Sequence, residues 1–147
     1  MKRALFLSCL GFSIATVALA DQDRQSADAC PVSQSVKDRP PDDPHASTFA
    51  SRGATWYAND ERTLWAWWWG KRSVGGYKIL WVRPTGAQLK ITGRRLDGDA
   101  PPLSAEIPNG YQQYSYQASG VNFPTAGCWE VLASANDAKL RFVVRIP

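Results

Sequence analysis

From Thr55 onward the chain is a series of short runs in which every second residue tends to be apolar, broken at regular intervals by Gly, Pro, Asn and Asp. A period of two marks a half-buried strand, and the breakers mark turns. The pattern predicts strands at 55–57 (TWY), 63–69 (TLWAWWW), 77–82 (YKILWV), 88–96 (QLKITGRRL), 103–107 (LSAEI), 114–120 (YSYQASG), 128–135 (CWEVLASA) and 139–146 (KLRFVVRI). The clearest alternations set Leu89 and Ile91 against Lys90 and Thr92, and Leu140, Phe142, Val144 and Ile146 against Arg141 and Arg145. No stretch carries a useful helical period, and nothing repeats. Short strands at this spacing predict an all-β fold, an antiparallel β-sandwich resembling an immunoglobulin-like domain, with a small closed barrel as the alternative. The expected core is Trp81 or its neighbours Ile79 and Leu80, with Leu89, Ile91, Leu103, Ile107, Trp129, Val131, Leu140, Phe142, Val144 and Ile146.

The run TLWAWWW departs from alternation. Consecutive strand residues point to opposite faces, so Trp67, Trp68 and Trp69 load both faces with large rings. The outward row is either Trp65, Trp67 and Trp69 or Leu64, Ala66 and Trp68, and the wide row does not fit easily inside. We expect the segment before the strands to cover part of it, with Phe49 and Trp56 nearby, leaving one or two rings exposed beside Lys71 and Arg72. Trp65, Trp67, Trp69, Lys71 and Arg72 are therefore the candidate partner contact, because Trp, Tyr and Arg dominate interface hot spots.

Ahead of the strands the pattern changes twice. Residues 1–20 read as a cleaved signal peptide: Lys2 and Arg3, then the apolar ALFLSCLGFSIATV, then ALA before Asp21. The apolar run is short for a membrane span, and neither Cys9 nor Cys30 stands where a lipid-attachment cysteine would. Residues 21–51, with Pro31, Pro40, Pro41, Pro44 and a cluster of Asp, read as an irregular arm, and 52–147 as one β-sandwich domain. Loss of the leader leaves Cys30 and Cys128, and two cysteines in an exported chain imply one disulfide. It closes a loop of almost a hundred residues, for which chain entropy gives roughly 4–5 kcal/mol as an upper figure. In CWEVLA the apolar face is Trp129, Val131 and Ala133, so Cys128 shares the opposite face with Glu130. The arm after Cys30 must then lie against the outside of the sandwich.

Charge narrows the functional classes. Removing Lys2 and Arg3 lowers the formal charge of +4 to about +2, so net charge gives a nucleic-acid role little support. The distribution is uneven: the arm is acidic, while 62–95 holds eight Lys and Arg and no acid. The single histidine, His45, lies beside Asp42 and Asp43 in the arm, which reads as a solvated loop and gives histidine-based catalysis or a metal site little to work with. Glu106 and Glu130 are the pair that a glycosidase reading would require. No phosphate-binding loop or nucleophile elbow occurs, and no cofactor is implied. The expectation is a non-enzyme. In GRRLDGDAPP, Arg94 or Arg95 paired with Asp97 or Asp99 would lock the loop, and a basic site for an anionic partner is the competing reading.

LWVRPTGAQLKITGRRLDGDAPPLSAEIPNGY and QASGVNFPTAGCWEV resemble a group of small exported bacterial proteins to which no activity is assigned. The shared pattern is a Cys-Pro near the mature start, here Cys30-Pro31, a GRRLD-x-APPL segment, here Gly93 to Leu103, and an FPT-x-GCWEV strand, here Phe123 to Val131. The resemblance implies a compact secreted β domain and carries no mechanism. The triple tryptophan stands outside it.

Two functional classes remain. One is a periplasmic or secreted protein-interaction module, an inhibitor or an immunity-like factor, monomeric and without a membrane span, whose partner is an envelope or extracellular protein. The other is a glycan- or cell-wall-binding module that uses exposed tryptophans, with Tyr111, Tyr114 and Tyr116 adding contacts.

Overall fold

Each alternating run forms a strand. The structure, a computed structural model, describes residues 30–38, 40–41, 55–69 and 74–147, with the backbone alone for Trp69. The expected leader, the arm up to Ala29, Asp42, Asp43, His45, Phe49, Lys71 and Arg72 lie outside the described residues. The strands are β1 (Trp56–Ala58), β2 (Trp65–Trp69), β3 (Gly75–Val82), β4 (Leu89–Arg95), β5 (Ser104–Glu106), β6 (Tyr116–Phe123), β7 (Gly127–Ala135) and β8 (Ala138–Ile146). All pairs are antiparallel. They form two sheets, ordered β1-β2-β3-β6-β5 and β4-β7-β8. The sheets do not close into a barrel, so the fold is the sandwich.

The topology is immunoglobulin-like with one addition. If β2 is counted as strand A, then β2-β3-β6-β5 is the A-B-E-D sheet and β4-β7-β8 the C-F-G sheet. β1 is an extra strand outside β2. Antibody domains join their second and sixth strands by a buried disulfide. Here the same two strands, β3 and β7, supply Trp81 and Trp129 to the core, both wholly buried. Their indole N–H groups are satisfied: Trp81 donates to Ser119 Oγ at 2.8 Å and Trp129 to the Thr125 carbonyl at 2.9 Å. Each ring thus adds its area without stranding a buried donor.

The expected core residues gather between the sheets, with two corrections. Leu80 turns to the outer face of the five-stranded sheet, because it is one residue out of phase with Ile79 and Trp81. Ile107 lies just beyond the short β5 and is only partly buried.

Both seams of the sandwich are bridged by backbone. On one side, Leu103 N–H donates to the Gly93 carbonyl at 3.3 Å. Gly93 permits this approach, since a Cβ there would collide with the Leu103 side chain and the Glu130 carbonyl. On the other side runs the arm. Cys30 and Cys128 form the disulfide, with Cα atoms 5.4 Å apart. Ser33 N–H then donates to the Val143 carbonyl, while Ser33 Oγ accepts from Val143 N–H, both at 2.9 Å. Val36 N–H donates to the Trp56 carbonyl at 2.8 Å. Trp129, Val131 and Ala133 point into the core, so Cys128 lies on the outer face with Glu130. The arm therefore starts outside β7, crosses β8 and reaches β1.

Candidate binding surfaces

The tryptophan row is sorted by the β2–β3 register. Trp67 lies opposite Leu80 and Trp65 opposite Val82, all on the outer face, whereas Ala66 and Trp68 face the core. On that outer face Trp56, Trp65, Trp67, Leu80 and Val82 form a second apolar cluster, against which Val36, Ala58, Tyr116 and Ala118 pack. The Trp56 ring lies 6.4 Å from Trp65, edge to face, and 6.1 Å from Trp67. Arg62 covers Trp65 with its guanidinium 5.4 Å from the ring and pairs with Asp38 of the arm at 3.1 Å. The expectation of exposed rings is not met at either position: Trp65 is 2% exposed and Trp67 8%. Their place on the outer face and the nearness of Trp56 agree with the sequence; their coverage is more complete than expected because Leu80 and Val82 add to Trp56 in a local core. Of the remaining candidate contact residues, the Trp69 side chain, Lys71 and Arg72 lie outside the described residues.

The basic loop after β4 locks itself. Arg95 Nε donates to Asp97 Oδ1 at 2.7 Å, and Arg145 approaches Asp97 at 4.0 Å. Burial pushes the Asp97 carboxyl up. Hydrogen bonds from Arg95 and from the Cys128 N–H, with the Arg95 charge, outweigh this and hold it below its ordinary 3.8. Leu96 N–H donates to the Cys128 carbonyl at 2.7 Å, so the loop grips the backbone of the disulfide strand. Of the two alternatives, Arg95 makes the expected pair and Arg94 takes no part in it. Arg94 faces the other way and pairs with Glu130 rather than with Asp97 or Asp99.

Glu130 is the buried carboxylate of the outer face, only 4% exposed. It accepts from Arg141 Nε at 2.6 Å and Arg94 Nε at 3.2 Å. Burial raises its pKa, but the two guanidinium hydrogen bonds and charges outweigh burial and hold it below the ordinary 4.5. Glu106 projects over Gly120 on the outer face of the other sheet. The two carboxylates therefore sit on opposite sides of the sandwich, not across one cleft.

Around Glu130 the outer face of β4-β7-β8 is cationic. Lys90 and Arg94 of β4 and Lys139, Arg141 and Arg145 of β8 all project from it and are exposed. Leu132, 40% exposed, lies between the two outer strands. With Lys90, Thr92, Ser134, Lys139 and Arg141 it lines a shallow cleft of about 470 Å³. Three of these five cations come from the last strand, outside the basic stretch 62–95. The alternation in KLRFVVRI already put Arg141 and Arg145 on one face; what sequence lacked was the pairing that sets β4 beside β7. Among the described residues no three His, Cys, Asp or Glu side chains are grouped to hold a metal, and no helix is long and apolar enough to cross a membrane. No family model, curated protein or solved structure matches the chain.

Proposed function

We propose that this is an exported, non-enzymatic binding domain whose cationic three-stranded face docks an acidic surface of another protein. The observation that carries this reading is the outer face itself: five exposed cations and one exposed leucine on a three-stranded sheet, with Glu130 buried between two of the arginines and Asp97 approaching Arg145 from the loop after β4. A charged rim around an apolar centre suits steered docking of an oppositely charged partner. Export is supported by the leader-like first twenty residues and by the disulfide, which persists in oxidising compartments. Burial of Trp65 and Trp67 removes those two rings from the glycan-binding alternative.

The test compares what the wild type and Lys90→Glu/Lys139→Glu retain from the envelope fraction of the producing cell. Acidic proteins held by the wild type at low salt, released at high salt and not held by the variant would support the reading. Equal retention by both proteins, or retention indifferent to salt, would overturn it.

A further inference from the structure

Among the described residues, Arg83 is a buried cation with no carboxylate partner. It follows β3 in phase with Tyr77, Ile79 and Trp81, so its side chain enters the end of the sandwich between the sheets, where it is 4% exposed. Its hydrogen bonds go to neutral oxygens: Nε to Gln117 Oε1 at 2.8 Å, Nη1 to the Pro84 carbonyl at 3.0 Å and Nη2 to the Tyr111 carbonyl at 3.1 Å. Gln117 is itself held in place by donating to the Pro108 carbonyl at 3.0 Å. Every described ion pair involves a different arginine. Withdrawing a guanidinium from water is costly when only dipoles replace the solvent, and a structural arginine normally has a carboxylate to offset that cost. Burial accordingly pushes the Arg83 pKa down.

Arg83 lines a cleft of about 360 Å³ that is open to solvent and has no acidic residue among its described lining residues. Its polar wall is Gln88, Asn109, Tyr111, Gln112 and Gln117, and its apolar wall is Leu89 and Ile107. A guanidinium has five N–H donors, and the three neutral bonds leave one on each terminal nitrogen. A planar anion with two oxygens takes two such donors, which is the arginine–carboxylate match. We infer that this cleft is a binding site for a small carboxylate ligand, with Arg83 as the group that reads the charge and the neighbouring amides and Tyr111 as partners for the rest of the molecule. The site lies at the end of the sandwich, separate from the cationic sheet face, and does not depend on that face binding protein.

Two sources supply such a carboxylate, a sugar acid and a peptide C-terminus. The test is an amide chemical-shift titration of the disulfide-bonded protein with four probes: glucuronate against glucose, and N-acetyl-alanyl-alanine against its C-terminal amide. At least one acid should give saturable shifts at residues 86–89 and 109–112, and its neutral counterpart should give none. Whichever acid does so identifies the source. In Arg83→Gln the affinity should fall about tenfold or more, the loss expected of a charge-assisted hydrogen bond. No saturable shift with either acid, equal shifts with the neutral probes, or shifts confined to Lys90 and Lys139 on the sheet face would each overturn the inference. If Arg83→Gln fails to fold, the contrast between acid and neutral probe in the wild type decides the matter alone.

Discussion

Tyr57 and Phe142 stack face to face between the two sheets, with ring centroids 4.5 Å apart and planes 7° from parallel. One ring comes from the added strand β1 and the other from the last strand β8, so the contact ties the extra strand into the main core. Phe142 also meets Trp81 at 6.3 Å.

Phe142→Ala should therefore cost about 3–5 kcal/mol, the usual range for a buried aromatic truncation. Tyr57→Leu keeps most of the apolar area and should lose about 0.5–1.5 kcal/mol of ring–ring preference beyond its change in burial. Urea unfolding with the disulfide intact measures both. A loss below about 1 kcal/mol for Phe142→Ala would mean that the ring is not core.

Trp67 has the same standing on the opposite face of the five-stranded sheet. Trp67→Ala should cost about 3–5 kcal/mol, as for a core ring, and leave binding by the cationic face unchanged in whatever fraction stays folded. A variant of wild-type stability that fails to bind would return Trp67 to the role of a contact residue.

Legibility tracked the local rule at each position. Strand placement rests on the period-two pattern, which is local, and all eight strands form near where it puts them. The disulfide rests on a count, and the outward face of Cys128 rests on the parity of Trp129 and Glu130; both hold. What depends on pairing was not legible. Arg94 is adjacent to Arg95 and only one residue further from Asp97, but the strand sends it to the other face, where β7 presents Glu130. Trp56 is expected beside the Trp65–Trp67 row and is there, but burial of those rings also depends on Leu80 and Val82 of β3, which no local pattern assigns to them. Arg83 reads in sequence as one more cation in a basic stretch, because its burial and its neutral hydrogen-bond partners are properties of the folded end of the sandwich.

Gly127 should not tolerate a side chain. Its φ is +139°, and a Cβ would run into the Arg95–Asp97 ion pair. Gly127→Ala should cost about 1–3 kcal/mol from the backbone alone, with a further loss from displacing the pair. In an Arg95→Ala background the second part should shrink, since only the Asp97 carboxylate is left in the way. A double-mutant cycle by urea unfolding measures the difference, and simple additivity of the two changes would contradict the contact.

Acid should destabilise the fold through the outer face. Glu130 and Asp97 titrate below 4.5 and 3.8 in the folded chain and return towards those values when it unfolds. Their contribution is therefore complete above about pH 5 and is lost as the pH falls through the ordinary values to the lower folded ones. Glu130→Gln should be less stable than wild type at neutral pH but lose less on acidification. Parallel urea midpoints at several pH values check this. Equal slopes for the two proteins would rule out Glu130 as a source of the acid sensitivity.

The arm has a consequence for molecules in company. Strands β8 and β1 are sheet edges, and an edge with free N–H and C=O groups is a template for a strand from another chain. Ser33 occupies both backbone groups of Val143, and Val36 occupies the carbonyl of Trp56. These few bonds are held in register by a covalent anchor three residues before the first of them, at Cys30. Reduction should release that anchor and leave both edges less well covered. The expected outcome is association by strand exchange that appears on reduction and grows with protein concentration, a hazard the stability of a single molecule does not reveal; light scattering with and without reductant checks it.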